Sequence, residues 1–114
     1  GAEVKAVATG ANGRLCPRAV MRELAKRQCT DVLLEAGATL NAAFLQAGLV
    51  DEWLMYQAPT LLGASARPLV SLPMEHMSQQ RRWALQDCRQ IGDDMRMILT
   101  PVADVAGDPA EKGE

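Results

Sequence analysis

The sequence has few of the features that declare a function directly. No apolar run approaches the roughly 20 residues needed to cross a bilayer, so no membrane span is expected. The opening stretch GAEVKAVATG lacks the charged-then-apolar layout of a secretory signal. Cysteine is sparse and odd in number: Cys16, Cys29 and Cys88 make no CxxC pair and no disulfide framework. A reducing, cytoplasmic setting follows as the expectation. Histidine occurs once, at His76 beside Glu75, where it reads as a solvated loop residue. One histidine supports neither a Ser-His-Asp set nor a metal site. The H-x-E with P-C-x-x-C signature of the zinc deaminases is absent, and so is the GxGxxG fingerprint. The formal net charge is −2, so no basic face is advertised for nucleic acid or an anionic membrane. No internal repeat is visible.

What is present is ordinary globular composition, with 48% hydrophobic and 23% charged residues in 114. That suffices for one small domain with a real core. Residues 4–9 form a valine-rich apolar run that reads as a buried strand. Asn12-Gly13 marks a turn within the loop at 10–14. Pro17 suits the first turn of a helix, where its missing N–H is harmless. Val20, Met21, Leu24 and Ala25 then share one face, with Arg18, Arg22, Lys26 and Arg27 on much of the rest, which predicts a helix over 17–28. Val32-Leu33-Leu34 is apolar without alternation, the pattern of a central strand covered on both faces.

Gly37 breaks that run. Leu40, Ala43, Phe44 and Ala47 recur at helical spacing, and Gly48 stands where a helix ends. A strand is expected over 52–58, ended by Pro59, and then a loop over 60–72. Residues 82–89 and 95–100 read as a closing strand pair turned at Gly92-Asp93-Asp94, with Met95, Met97 and Leu99 on its buried face. The six methionines are expected to fill core gaps or loop contacts. Trp53 and Tyr56 should lie on opposite faces of their strand. Residues 1–103 are read as structured and 104–114 as a loose polar tail. Strands alternate with helices and then give way to a hairpin, which is an α/β domain with a mixed sheet flanked by helices.

The chemistry-bearing candidate is Glu35-Ala36-Gly37-Ala38-Thr39-Leu40. A glycine at a strand end permits unusual backbone angles and close approach of a ligand. The helix start behind it presents unpaired N–H groups and a partial positive charge, suited to a phosphate. Thr39 offers a hydroxyl as a cap or a further phosphate donor. A plain strand-to-helix turn accounts for the same residues. Glu35 would stand at the C-terminal end of a strand, the side on which open α/β sheets hold ligands; a solvated rim carboxylate is the alternative. Asp51-Glu52 reads as a pair of solvated charges at a strand start. Arg67, in the loop after that strand, could pair with a phosphate or lie on the surface.

EAGATL at 35–40, AGLVDE at 47–52, YQAP and TLLG at 56–63, and AR with PLV at 66–70 stand in an order and spacing that resemble the reductase domain of the bifunctional riboflavin-pathway deaminase/reductase. IGDDM at 91–95 is similar to that family's closing hairpin. The likeness runs from residue 4 to residue 100 and is most specific over 35–69. Ala36 and Ala38 replace residues that are often glycine or proline in the family, but both are small.

The resemblance implies a dihydrofolate-reductase-like fold and NADPH-dependent reduction of the ribosyl group of 5-amino-6-(5-phosphoribosylamino)uracil to a ribityl chain. It implies Glu35 as a substrate contact, and Gly37, Ala38, Thr39, Leu40, Asn41, Ala42 and Ala43 as the cofactor-binding stretch. The family's reductase domain is longer, and its first half supplies strands that would separate residues 4–9, 32–36 and 52–58. The expected partners are therefore the pyrimidine ribosyl phosphate substrate, the missing N-terminal half, a second copy in a homodimer, and optionally an upstream zinc deaminase domain. Two other readings stay open: a non-catalytic truncated module acting by self-association, and a related reductase of the same superfamily.

Overall fold

The computed structural model describes residues 1–103, so the tail at 104–114 lies outside the described residues. Its elements are α1 (Pro17–Lys26), α2 (Ala38–Gln46), β1 (Trp53–Gln57), a short 3-10 turn (Met77–Gln79), β2 (Trp83–Ile91) and β3 (Asp94–Pro101). The described residues fall into two compact units: Gly1–Leu49 with Arg67–Leu72, and Val50–Ala66 with residues 73–103.

In the first unit, Pro17 begins α1 as expected. The helix stops two residues earlier than its pattern suggested. Gln28 takes a left-handed φ of 62°, its N–H donates to Ala25 O at 2.9 Å, and the Cys29 N–H donates to Leu24 O at 3.1 Å. These two bonds form a Schellman closure, normally a glycine's task. α2 ends in the same way, with Gly48 at φ 68°. Its N–H donates to Leu45 O and that of Leu49 to Phe44 O, both at 3.1 Å. Arg18 of α1 reaches the same helix end, where its Nη2 donates to Ala47 O at 2.8 Å. A cation there offsets the negative pole of α2 and fills an otherwise unpaired carbonyl. Ala42, Phe44 and Leu45 are buried, and all three belong to α2.

The strands expected at 4–9 and 32–36 are not formed. Thr9 makes one isolated antiparallel bridge with Leu15, closing the Asn12-Gly13 turn, in which Asn12 Oδ1 accepts from the Arg14 N–H at 3.0 Å. Val4 is 98% and Leu33 75% exposed, so these runs are not central and covered. The physical reason is pairing. A strand exists through its neighbour's hydrogen bonds, and among the described residues nothing pairs with 32–36.

The second unit is a three-stranded sheet of order β1-β3-β2. β1 pairs antiparallel with β3, Met55 opposite Met97. β2 and β3 form the expected hairpin, closed where Ile91 faces Asp94. Gly92 has φ 61° and Asp93 does not share it, the sign pattern of a type II′ turn, whose first position favours glycine. Between Leu85 and Asp87 the register shifts by one residue. The extra residue, Gln86, uses its Nε2 to donate to Thr100 Oγ1 at 2.8 Å.

Trp53 and Trp83 meet edge to face with centroids 5.5 Å apart, and Tyr56 lies on the opposite face, as its spacing predicted. The expectation of one fully buried face on β3 is corrected: Met95 is exposed, while Met97 and Leu99 are half-buried like Arg96 and Ile98. Among the methionines, expected in core gaps or loop contacts, Met77 of the 3-10 turn is 78% exposed.

Candidate functional site

The best-formed ligand-ready feature is the start of α2. Residues 32–36 approach it without ladder bonds, and Gly37 serves as N-cap with φ −80° and ψ 177°. Those angles are open to any residue, so Gly37 is not there for a forbidden conformation, contrary to the sequence expectation. What glycine does provide is room, because a Cβ built on Gly37 would meet nothing within 4 Å.

The first intrahelical bond runs from the Asn41 N–H to Gly37 O at 3.0 Å. The N–H groups of Ala38, Thr39 and Leu40 therefore have no acceptor within the helix, and no side chain caps them. Thr39 is exposed and does not cap the helix. These three donors stand together at the positive pole of a nine-residue helix, where a negative charge is favoured in general.

Two contacts hold this start in place. Asn41 Nδ2 donates to Ala36 O at 3.0 Å, partly buried, and so ties the entering backbone to the first turn. The Ser71 N–H donates to Ala38 O at 3.2 Å, laying the 67–72 strap against the same turn. Arg67, at the head of that strap, is exposed. Within the cofactor stretch read from the sequence, Gly37 and Thr39 are exposed and Leu40 is 42% exposed. Ala38, Asn41 and Ala43 are half-buried, and Ala42 points into the core at 4%. Glu35 is exposed, two residues ahead of the N-cap.

Sequence reasoning overlooked Arg18 and Ser71, which act at the two ends of α2. No spacing signal marks either one, because each bonds to a backbone carbonyl far along the chain. Asp51 and Glu52 are exposed, as expected of solvated charges. His76 belongs to the 3-10 turn, where Gln79 Oε1 accepts from the N–H groups of Glu75 and His76 at 2.8 and 3.0 Å. Among the described residues no group of three or more His, Cys, Asp or Glu side chains could hold a metal, and no helix is long and apolar enough to cross a membrane.

A second polar cluster lies on the sheet. Asp87 Oδ2 pairs with Arg89 Nε at 3.0 Å and with Arg96 Nη2 at 3.3 Å, and the buried Arg96 Nε has no partner.

Comparison with known proteins places this architecture. The family model described as RibD C-terminal domain matches residues 2–97. The riboflavin biosynthesis protein RibD of Haemophilus influenzae is 45% identical over 83 residues, which is 72% of this chain but 22% of the relative. The 5-amino-6-(5-phosphoribosylamino)uracil reductase of Buchnera aphidicola is 34% identical over 83 residues, covering 72% of this chain and 40% of that protein. The solved structure of Acinetobacter baumannii RibD superimposes with a TM-score of 0.72 at 47% identity, over 78% of this chain and 26% of the other. The chain thus spans less than half the length of each of these relatives.

Proposed function

The chain belongs to the RibD C-terminal domain family, and on that premise we propose that it forms the closing part of an NADPH-dependent reductase of riboflavin biosynthesis. Its substrate on this reading is 5-amino-6-(5-phosphoribosylamino)uracil, a pyrimidine ribosyl phosphate whose ribosyl group becomes ribityl. The supporting observation is the adjacency of Glu35 to a helix start with three unused N–H donors, in a chain similar to a protein that bears that reductase's name.

The residues present fit a cofactor phosphate. Ala38, Thr39 and Leu40 offer the backbone donors, Thr39 adds its hydroxyl, and the open space at Gly37 lets an anion approach the backbone. Asn41 holds the turn, while Ala42 and Ala43 seat the helix beneath it. NADPH, when bound, supplies the hydride. The chain's own part is to bind and orient: the helix start grips the phosphates, and Glu35 accepts hydrogen bonds from substrate N–H or hydroxyl groups. Residues 1–103 act as the C-terminal part of a reductase domain, with the remaining pocket supplied by the N-terminal half that the longer relatives carry. Three free cysteines suit a reducing cytoplasm.

A chimera in which this chain replaces the matching segment of H. influenzae RibD tests the reading. Gly37→Asp supplies a good N-cap side chain and a negative charge where the phosphate would lie. It should raise the midpoint of unfolding while weakening NADPH binding by about tenfold or more. Unchanged NADPH titration in that variant removes the phosphate assignment. Glu35→Gln should lower turnover or raise the substrate KM with NADPH affinity unaltered, and parent-like kinetics would take Glu35 out of the site.

A further inference from the structure

Gly37 is the joint between Glu35 and α2, and glycine is the least restrained residue a chain can place there. Its torsions are ordinary, φ −80° and ψ 177°, and a Cβ built on it would meet nothing within 4 Å. Neither steric limits nor packing at Gly37 therefore fix the angle at which the chain enters the helix. Asn41 does. Its main-chain N–H donates to Gly37 O at 3.0 Å, the ordinary bond of a helix. Its Nδ2 donates to Ala36 O, also at 3.0 Å and partly buried. The peptide groups on both sides of Gly37 are thus bonded to the same residue. The second bond orients the peptide between Ala36 and Gly37, and with it the direction in which Glu35 leaves the helix. A usual N-cap side chain would hold the joint by taking an N–H of the first turn. Gly37 has no such side chain, and Asn41 holds the entry through carbonyls, leaving those N–H groups free. The clamp lies within residues 36–41, so it does not depend on what pairs with the segment before it.

On the reading that Glu35 meets the substrate and the start of α2 meets the cofactor, we propose that Asn41 is a positioning residue for Glu35 and not a cofactor contact. The amide spans the glycine joint and presents the Glu35 carboxylate at a set offset from the helix start. A displacement on the order of 1 Å between reacting partners can cost roughly a hundredfold in rate. Without the clamp, Gly37 lets Glu35 swing, while the helix keeps its own backbone bond to Gly37 O.

The H. influenzae RibD chimera carries the test. Asn41→Ala and Asn41→Leu both remove the amide donor, add no charge and suit a helix. Each should lower kcat/KM for the pyrimidine ribosyl phosphate by about tenfold, with NADPH affinity within about twofold of the parent. Two variants of different size guard against a fold lost through packing, and the midpoint of unfolding reports that directly. Glu35→Gln combined with Asn41→Ala separates positioning from a general structural role. If Asn41 acts through Glu35, the double variant should be no slower than Glu35→Gln by itself. Additive losses overturn the proposal. So does parent-like kcat/KM in both single variants, or a loss that falls on NADPH affinity, which would make Asn41 a cofactor contact. Glu35→Gln distinguishes the two levels. If it slows the enzyme and the Asn41 variants do not, only the positioning role fails. If it has parent-like kinetics, Glu35 leaves the site and the role of Asn41 falls with it.

Discussion

The α2 region and the β2–β3 hairpin reach order by opposite routes. Among the described residues the buried side chains, Ala42, Phe44 and Leu45, all lie on α2, yet the chain on its N-terminal side has no ladder. The hairpin has a ladder from Trp83 to Pro101, yet none of its residues is buried. A helix satisfies its backbone internally and then needs only a face to bury. A strand needs a second segment, and a hairpin brings its own across a two-residue turn. The regions differ because of where each finds its hydrogen-bond partners.

Three substitutions should separate them, in order of falling effect. Phe44→Ala removes a side chain that is 7% exposed and should cost about 3 kcal/mol. Hydrogen exchange should then show α2 amides losing protection while those of β2 and β3 keep theirs. Equal loss in both would mean that the helix and the hairpin unfold as one. Gly92→Val forces a branched side chain into φ 61° and should cost about 1–2 kcal/mol. Here exchange should accelerate in the hairpin first and leave α2 protected. If α2 opens first, the turn is not what holds the sheet. Asp87→Asn breaks the two pairs with Arg89 and Arg96 in a half-exposed setting. The free energy of unfolding from urea titration should fall by less than about 1 kcal/mol, and a larger loss would show that the buried Arg96 Nε depends on that carboxylate.

Much of this was legible in the residues. Pro17, Gly48 and the Gly92-Asp93 turn mark element ends through backbone preferences that act within a few residues, and each stands where it was read. The stretch from Gly37 to Leu40 was legible as a helix start that could meet phosphate, and the structure adds the unused donors and the open space. The reason given for Gly37 was not legible, because φ −80° is a property of the folded turn and not of glycine. The runs at 4–9 and 32–36 carry strand composition, but composition cannot state whether a neighbour is within reach. Arg18 looked like one charge on a polar helix face, and only folding delivers it to Ala47 O.

By itself the sequence determined the α/β class, the positions of α1, α2 and the hairpin, and the family, because periodicity, turn chemistry and local motifs are written in neighbouring residues. The tertiary structure decided which apolar runs became strands and which side chains reached the core. Those outcomes depend on contacts between distant segments. The same valine or leucine run is a strand when paired and an exposed, extended segment when it is not.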